Sequence, residues 1–289
     1  MEFLKMALQG ILPPAIVTAV ALAIALRSGG AGMLRSPWRA FSIGAGFVAA
    51  YAVLFGWTGW PPAEAWMYLP WIAVAFGALG TVAAARPLPA PAQWVLLFAL
   101  AALATWATIE PLFDYYEWST FGSVWRVAAL ALGWTLLAAG TDRLADRRPG
   151  ASLPMVLAVA ATGASLITLE AGFAKSGQLG GALATSAGVA VSIAWLRPQL
   201  TLGRGGTFAA TGILFGLVLN AFFFLDDLSE VAAVCLVVAP LFAWFGELGV
   251  VRSRPAWQGA VIRAGLTAVP LAIAGAMILL RAEDGAYPY

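Results

Sequence analysis

Long uninterrupted runs of apolar residues dominate the hydrophobic pattern of this chain. Ten such runs, each of about twenty residues, alternate with short segments that carry Pro, Gly or charge. A helix needs about twenty apolar residues to cross a bilayer, whereas the strands of a membrane barrel alternate apolar and polar residues over roughly ten. The pattern therefore predicts membrane-spanning helices at residues 4–26, 38–57, 65–85, 93–109, 123–140, 153–173, 179–196, 207–225, 231–249 and 257–280.

These runs predict an all-α fold, a polytopic bundle of about ten transmembrane helices. The connections between the runs are short, so we expect a single transmembrane domain over residues 1–289. Two halves of five spans, residues 1–140 and 150–289, are an alternative organisation, and they would have opposite orientations as in many transporters. The halves show no convincing residue-level match, so this division stays a hypothesis.

Composition agrees with a membrane location and limits the chemistry. Charged residues make up 10% of the chain and hydrophobic residues 62%, whereas about a quarter of a soluble protein is charged. The net charge of +2 is too small to indicate a nucleic-acid partner. Histidine, the commonest proton-transfer group and metal ligand, is absent, and Cys235 is the only cysteine. We therefore expect the lipid bilayer as partner, no nucleic acid and no cofactor.

The basic residues predict which loops face the cytoplasm, because Lys and Arg resist translocation across the membrane. Both termini are expected outside the cytoplasm, in a multi-pass protein of a bacterial inner membrane. The first span is expected to be retained rather than cleaved, since its flank lacks a basic cluster. The intervening loops hold only Lys5, Lys175 and Arg281, whereas the alternate loops hold Arg27, Arg35, Arg39, Arg86, Arg143, Arg147, Arg148, Arg197, Arg204, Arg252 and Arg254.

One short stretch resembles known sequences. Residues 168–184, TLEAGFAKSGQLGGALA, are similar to a segment of an uncharacterised family of multi-span bacterial membrane proteins. The resemblance covers 17 of the 289 residues and implies a bacterial membrane protein. The family has no assigned activity, so it implies no substrate and no site.

Four polar or charged side chains within the predicted spans are candidates for a substrate or ion path, namely Asn220, Arg263, Glu247 and Arg126. An ionisable group inside a membrane is costly, so each one suggests a function by default. Glu247 and Arg263 lie at similar depth on adjacent antiparallel spans, where they would form either a gate or anion site, or a structural clamp. Arg126 would either pair with the acidic loop before it or contact a substrate. Asn220 would form an interhelical hydrogen bond or line a path.

Acidic residues concentrate at the predicted outer surface. Carboxylates one helical turn apart can share a divalent cation, and similar acidic motifs hold magnesium diphosphate in membrane prenyl transferases. A second such motif is missing here, and translocated loops tolerate acidic residues in any case. The nature of any bound metal is therefore left open. The residues of this predicted outer acidic cluster are Glu110, Asp114, Glu117, Asp226, Asp227 and Glu230.

Three functions fit these observations. Ten spans, short loops and prolines within helices favour a permease for a small or lipid-like substrate. A polar-poor interior without soluble domains is typical of a non-catalytic subunit of a larger membrane complex. The outer carboxylates would suit an enzyme that modifies lipids at the outer leaflet, but the sequence offers no catalytic residues and no nucleotide-binding loop. An enzyme is the least favoured of the three.

Overall fold

The computed structural model describes residues 2–27, 36–57, 59–86, 89–224 and 228–284. Over these residues the chain is an all-α bundle with ten helices long and apolar enough to cross a membrane, which confirms the predicted fold class and every predicted span. We number them spans 1 to 10: Glu2–Arg27, Pro37–Phe55, Leu69–Ala85, Ala90–Ile109, Thr120–Arg147, Ser152–Glu170, Ala174–Leu196, Gly203–Phe224, Glu230–Glu247 and Ala256–Asp284.

Three short helical elements lie outside these ranges. The 3-10 turn Ala65–Tyr68 runs directly into span 3, and the helices Pro111–Tyr115 and Gly249–Arg252 lie in the connections after spans 4 and 9. Span 5 continues about two turns past its predicted end at residue 140. The charged residues of its last turns are typical of a loop in the sequence. In the structure Asp142 is buried there and pairs with Arg204 of span 8, and this contact stabilises the extra helical turns.

Span 8 is the central helix of the bundle. In its most apolar window 83% of the residues are buried, a larger share than in any other span of the described residues. Two glycines let span 3 approach closely, because a Cβ at Gly216 would lie 2.7 Å from Leu69 Cδ2 and one at Gly212 would lie 3.2 Å from Phe76 Cγ. Small residues of this kind are the usual means of close helix packing in membranes.

The remaining spans pack around this centre as hairpins. Spans 1 and 2 pair with each other, as do spans 6 and 7, and span 7 also contacts spans 1 and 2. Spans 4 and 5 form a third pair, and span 10 packs against spans 6 and 9. At Gly180 of span 7 a Cβ would lie 2.8 Å from Ser165 Cα of span 6, so this glycine sets the distance between the two helices.

Span 9 changes its helix type halfway across the membrane. It is α-helical over Glu230–Val238 and then 3-10 over Ala239–Glu247, with Pro240 in the first turn of the 3-10 segment. Proline removes a backbone donor, and 3-10 runs longer than three or four residues are uncommon. Pro13, Pro14 and Pro270, by contrast, lie inside continuous helices. Span 9 is thus a helix in two unlike halves.

Candidate functional site

A cavity of about 380 Å³ lies at the end of the bundle where the predicted cytoplasmic connections meet. We call it the basic cavity. Its walls come from the end of span 5, the start of span 6, the end of span 7, the connection after span 9 and the start of span 10. Four arginines and mainly apolar residues line it: Arg147, Arg148, Arg254 and Arg263, with Ala151, Ala194, Trp195, Val251, Trp257 and Ala260.

Arg263 reaches this cavity from inside span 10. Its side chain is 3% exposed, and its Nη2 donates to Glu247 Oε1 at 2.6 Å and to the Gly246 carbonyl at 3.0 Å. The structure therefore brings together the two residues for which the sequence predicts a contact between spans 9 and 10. A buried arginine is stable only when its charge is compensated, and Glu247 supplies that compensation.

Glu247 also binds a second arginine, which sequence reasoning missed. Arg148, in the connection between spans 5 and 6, donates from Nε and Nη2 to both carboxylate oxygens of Glu247, at 3.0 to 3.2 Å. Two parallel bonds of this kind are the strongest arginine–carboxylate arrangement. In the sequence Arg148 is one of several loop arginines that predict the cytoplasmic side, and no local pattern distinguishes it from its neighbours. We call Arg148, Glu247 and Arg263 the ion-pair triad.

Glycines leave room for the buried guanidinium. A Cβ at Gly246 would lie 2.5 Å from Arg263 Cγ, and a Cβ at Gly259 would lie 2.9 Å from Arg263 Nη1. Gly259 lines the basic cavity, and so does Ser152, whose Oγ lies 3.4 Å from the same Nη1. The Nη1 end of Arg263 is therefore next to the cavity wall, with one long hydrogen bond for its two protons.

A second charge pair with a buried carboxylate lies at the same end of the bundle. Arg204, at the start of span 8, contacts Asp142 of span 5 at 3.2 Å and donates to Gln93 Oε1 of span 4 at 3.0 Å. The Asp142 side chain is 4% exposed, so this pair also connects packed helices and is not a surface ion pair. The sequence indicates neither partner, because both lie among loop-like charges.

Asn220 and Arg126 do not lie at the basic cavity. Asn220 is buried in span 8, but its Nδ2 donates to Gly216 of the same helix at 2.8 Å, so the expected hydrogen bond to another helix is replaced by an intrahelical one. Because Gly216 has no side chain, its carbonyl oxygen is accessible to the Asn220 amide one turn later. Arg126 is exposed, and its guanidinium lies over the Trp118 ring at 4.2 Å. Within the described residues it forms no ion pair with the acidic loop, and its guanidinium contacts an aromatic ring instead.

The predicted outer acidic cluster is described only in part. Asp226 and Asp227 lie outside the described residues. Glu110, Asp114, Glu117 and Glu230 all have exposed side chains. In the part of the chain that the structure describes, no group of three carboxylate, cysteine or histidine ligands could hold a metal ion. Cation binding at this surface therefore gains no support from the four described carboxylates.

Comparison with known proteins does not assign the chain to a family. No protein-family model matches the sequence, and no curated protein matches it significantly. The resemblance of residues 168–184 to bacterial membrane proteins therefore stays a prediction. Any functional conclusion has to come from the basic cavity and the helices around it.

Proposed function

We propose that this multi-pass membrane protein is a permease for a lipid-like substrate, and that the basic cavity is its substrate site at the cytoplasmic end. The observation that carries the proposal is the combination of charged and apolar walls in one cavity of about 380 Å³. Binding pockets for small molecules have volumes of roughly 300–1,000 Å³ and combine apolar walls with a few well-placed polar groups.

The tryptophans at the cavity support a lipid-like substrate. Trp195 and Trp257 both line it, and both are about half exposed at the ends of their spans. Tryptophan rings prefer the headgroup region of a bilayer. A molecule in the cavity would therefore lie at headgroup depth, with its polar part against the arginines and its apolar part toward the membrane.

The helix beside the cavity has the form expected of a moving part. The 3-10 half of span 9, Ala239–Glu247, leads directly to the connection that lines the cavity, and Glu247 is the residue that ties this half to Arg148 and Arg263. Transporters use interrupted helices near their substrate sites, and a 3-10 stretch within a helix often marks a hinge. Release of Glu247 would free the 3-10 half to move.

A transport assay with matched proline variants tests this proposal. The purified protein is reconstituted into vesicles that contain fluorescent lipids, and lipid movement between leaflets is measured by quenching from outside. We expect movement well above that of protein-free vesicles. Pro240→Ala, which allows span 9 to continue as an α-helix, is expected to slow it severalfold, whereas Pro270→Ala in the continuous span 10 is not.

Two outcomes would contradict a permease. One is wild-type vesicles that move lipid no faster than protein-free vesicles. The other is a purification from native membranes in which the chain travels with a stoichiometric set of other proteins, which would favour a subunit of a larger complex.

A further inference from the structure

The basic cavity carries more positive charge than its own carboxylate neutralises. Four arginines line it, and among the described residues Glu247 is the one carboxylate that forms an ion pair with any of them, namely with Arg148 and Arg263, so positive charges outnumber negative ones at the cavity. Asp142 and Asp146, at the same end of the bundle, share a single arginine, Arg204 of span 8, at 3.2 and 3.9 Å, so one of their two charges offsets part of this excess. The remaining excess of positive charge around one cavity suits a ligand with more than one negative charge.

Arg263 has donors that the protein does not satisfy. Its Nε is buried and has no hydrogen-bond partner within the described residues, and its Nη1 makes a single bond of 3.4 Å to Ser152. Buried donors are nearly always paired, and an unpaired one costs free energy. An acceptor in the cavity next to Ser152 and Gly259 would complete the bonding of Nη1.

Two helices begin at the same cavity. Spans 6 and 10 start at Ser152 and Ala256, and the residues at both starts line the cavity. Neither helix has an acidic residue in its first turn, and no side chain caps the amino end of span 6. The amino end of a helix carries partial positive charge and unpaired N–H groups, so both ends add to the attraction of the arginines for an anion.

From these observations we propose that the basic cavity binds a phosphate group that carries two negative charges, such as a phosphate monoester. This inference rests on the proposed function, since it names the headgroup of the lipid-like substrate. Guanidinium groups donate charge-assisted hydrogen bonds to phosphate, and a doubly charged group matches the excess positive charge of the cavity better than a singly charged phosphodiester does. Arg263, Arg148 and Arg254 are the expected ligands.

Calorimetric binding to the purified full-length protein, in a neutral detergent at fixed salt, tests the assignment. Three probes are compared: dihexanoyl phosphatidic acid, dihexanoyl phosphatidylglycerol and inorganic phosphate. We expect the phosphatidic acid to bind about tenfold more tightly than the phosphatidylglycerol, because it carries the second charge. Equal binding of these two lipids would overturn the proposed preference for a dianion.

Variants connect the binding to the cavity. Arg254→Gln removes an exposed cavity arginine and is expected to weaken binding about threefold to fivefold, whereas Arg143→Gln, an exposed arginine of span 5 outside the cavity, leaves it unchanged. Gly259→Ala, which crowds Arg263 Nη1, is expected to weaken it about tenfold, and Gly265→Ala in the same helix, where a Cβ meets nothing within 4 Å, is the matched control. Equal losses within either pair would overturn the assignment.

The probe series also separates this inference from the proposed function. Inorganic phosphate that binds as tightly as phosphatidic acid would keep the phosphate site but contradict a lipid-like substrate. Tight, variant-sensitive binding of phosphatidic acid together with no lipid movement in vesicles would keep the site and contradict the permease. Binding of neither phosphate probe would overturn the phosphate site itself.

Discussion

The two ends of the bundle use their charges in different ways. At the basic end, Glu247 and Asp142 are nearly buried, and each joins helices that are far apart in sequence. At the opposite end, the clearest ion pair of the described residues joins Lys175 to Glu64 at 3.3 Å, and both side chains are about half exposed. Desolvated charges depend on their partners, whereas exposed pairs contribute little.

At that opposite end, tryptophan rings are the main partners of the charged side chains. The Trp66 indole donates to Glu64 at 2.6 Å, and Lys175 lies over the Trp66 ring at 4.5 Å. Arg126 uses Trp118 in the same way. Charge at the two ends therefore serves different purposes. Buried carboxylates join helices beside the basic cavity at one end, and exposed charges lie against aromatic rings at the other.

The largest expected effect concerns the sidedness of the two ends. In a Cys235→Ser background, we expect Glu117→Cys to react with a membrane-impermeant maleimide added to intact cells, and Arg254→Cys to react only after the cells are opened. The reason is that basic loops stay cytoplasmic. The measurement is gel-shift labelling, and the reverse pattern would invert the predicted topology.

Loss of the Glu247 carboxylate should be the most damaging of the single charge changes. Glu247→Gln leaves Arg263, which is 3% exposed, without its counter-charge, and we expect a loss of about 3–5 kcal/mol in unfolding free energy. Glu230→Gln, at the exposed opposite end of the same span, should change it by well under about 1 kcal/mol. Denaturant titration in mixed micelles measures both, and similar losses would refute the contrast between the ends.

Filling the space beside Arg263 should reduce the unfolding free energy nearly as much as removing its counter-charge. Gly246→Ala puts a methyl group 2.5 Å from Arg263 Cγ, and overpacking of this kind costs about 1–3 kcal/mol. Gly265→Ala meets nothing within 4 Å and should be neutral or slightly stabilising, because alanine favours the helix. A stable Gly246→Ala variant would show that Arg263 can move out of its observed position.

The smallest expected effect is a pH dependence at the opposite end. The hydrogen bond from Trp66 lowers the pKa of Glu64 below its usual value of 4.5; burial opposes this shift, and Lys175 adds to it. A lowered pKa means that Glu64 stabilises the fold above pH 4.5, and that this stabilisation is lost as the pH falls through the lowered pKa. The stability difference between wild type and Glu64→Gln should therefore be small at pH 7 and vanish in acid. A difference that grows in acid would contradict this assignment.

The part of the candidate site that depends on depth in the membrane is predictable from the sequence. Glu247 and Arg263 were expected to meet because hydropathy alone puts them at similar levels of adjacent spans. Arg148 was not expected, since its contact with Glu247 joins residues 99 positions apart. Asn220 was expected to bond to another helix or to line a path, but its side-chain amide donates to the carbonyl of Gly216, one turn earlier in its own helix.

The sequence by itself determined the class of protein and the number of spans. Each span is a local property, because twenty apolar residues must satisfy their backbone groups as a helix in lipid, whatever surrounds them. Tertiary structure alone decided which spans touch, where the 3-10 half of span 9 ends, and which arginines share one carboxylate. These features depend on the shapes of small-residue helix faces from distant parts of the chain, and no local pattern encodes how such faces fit together.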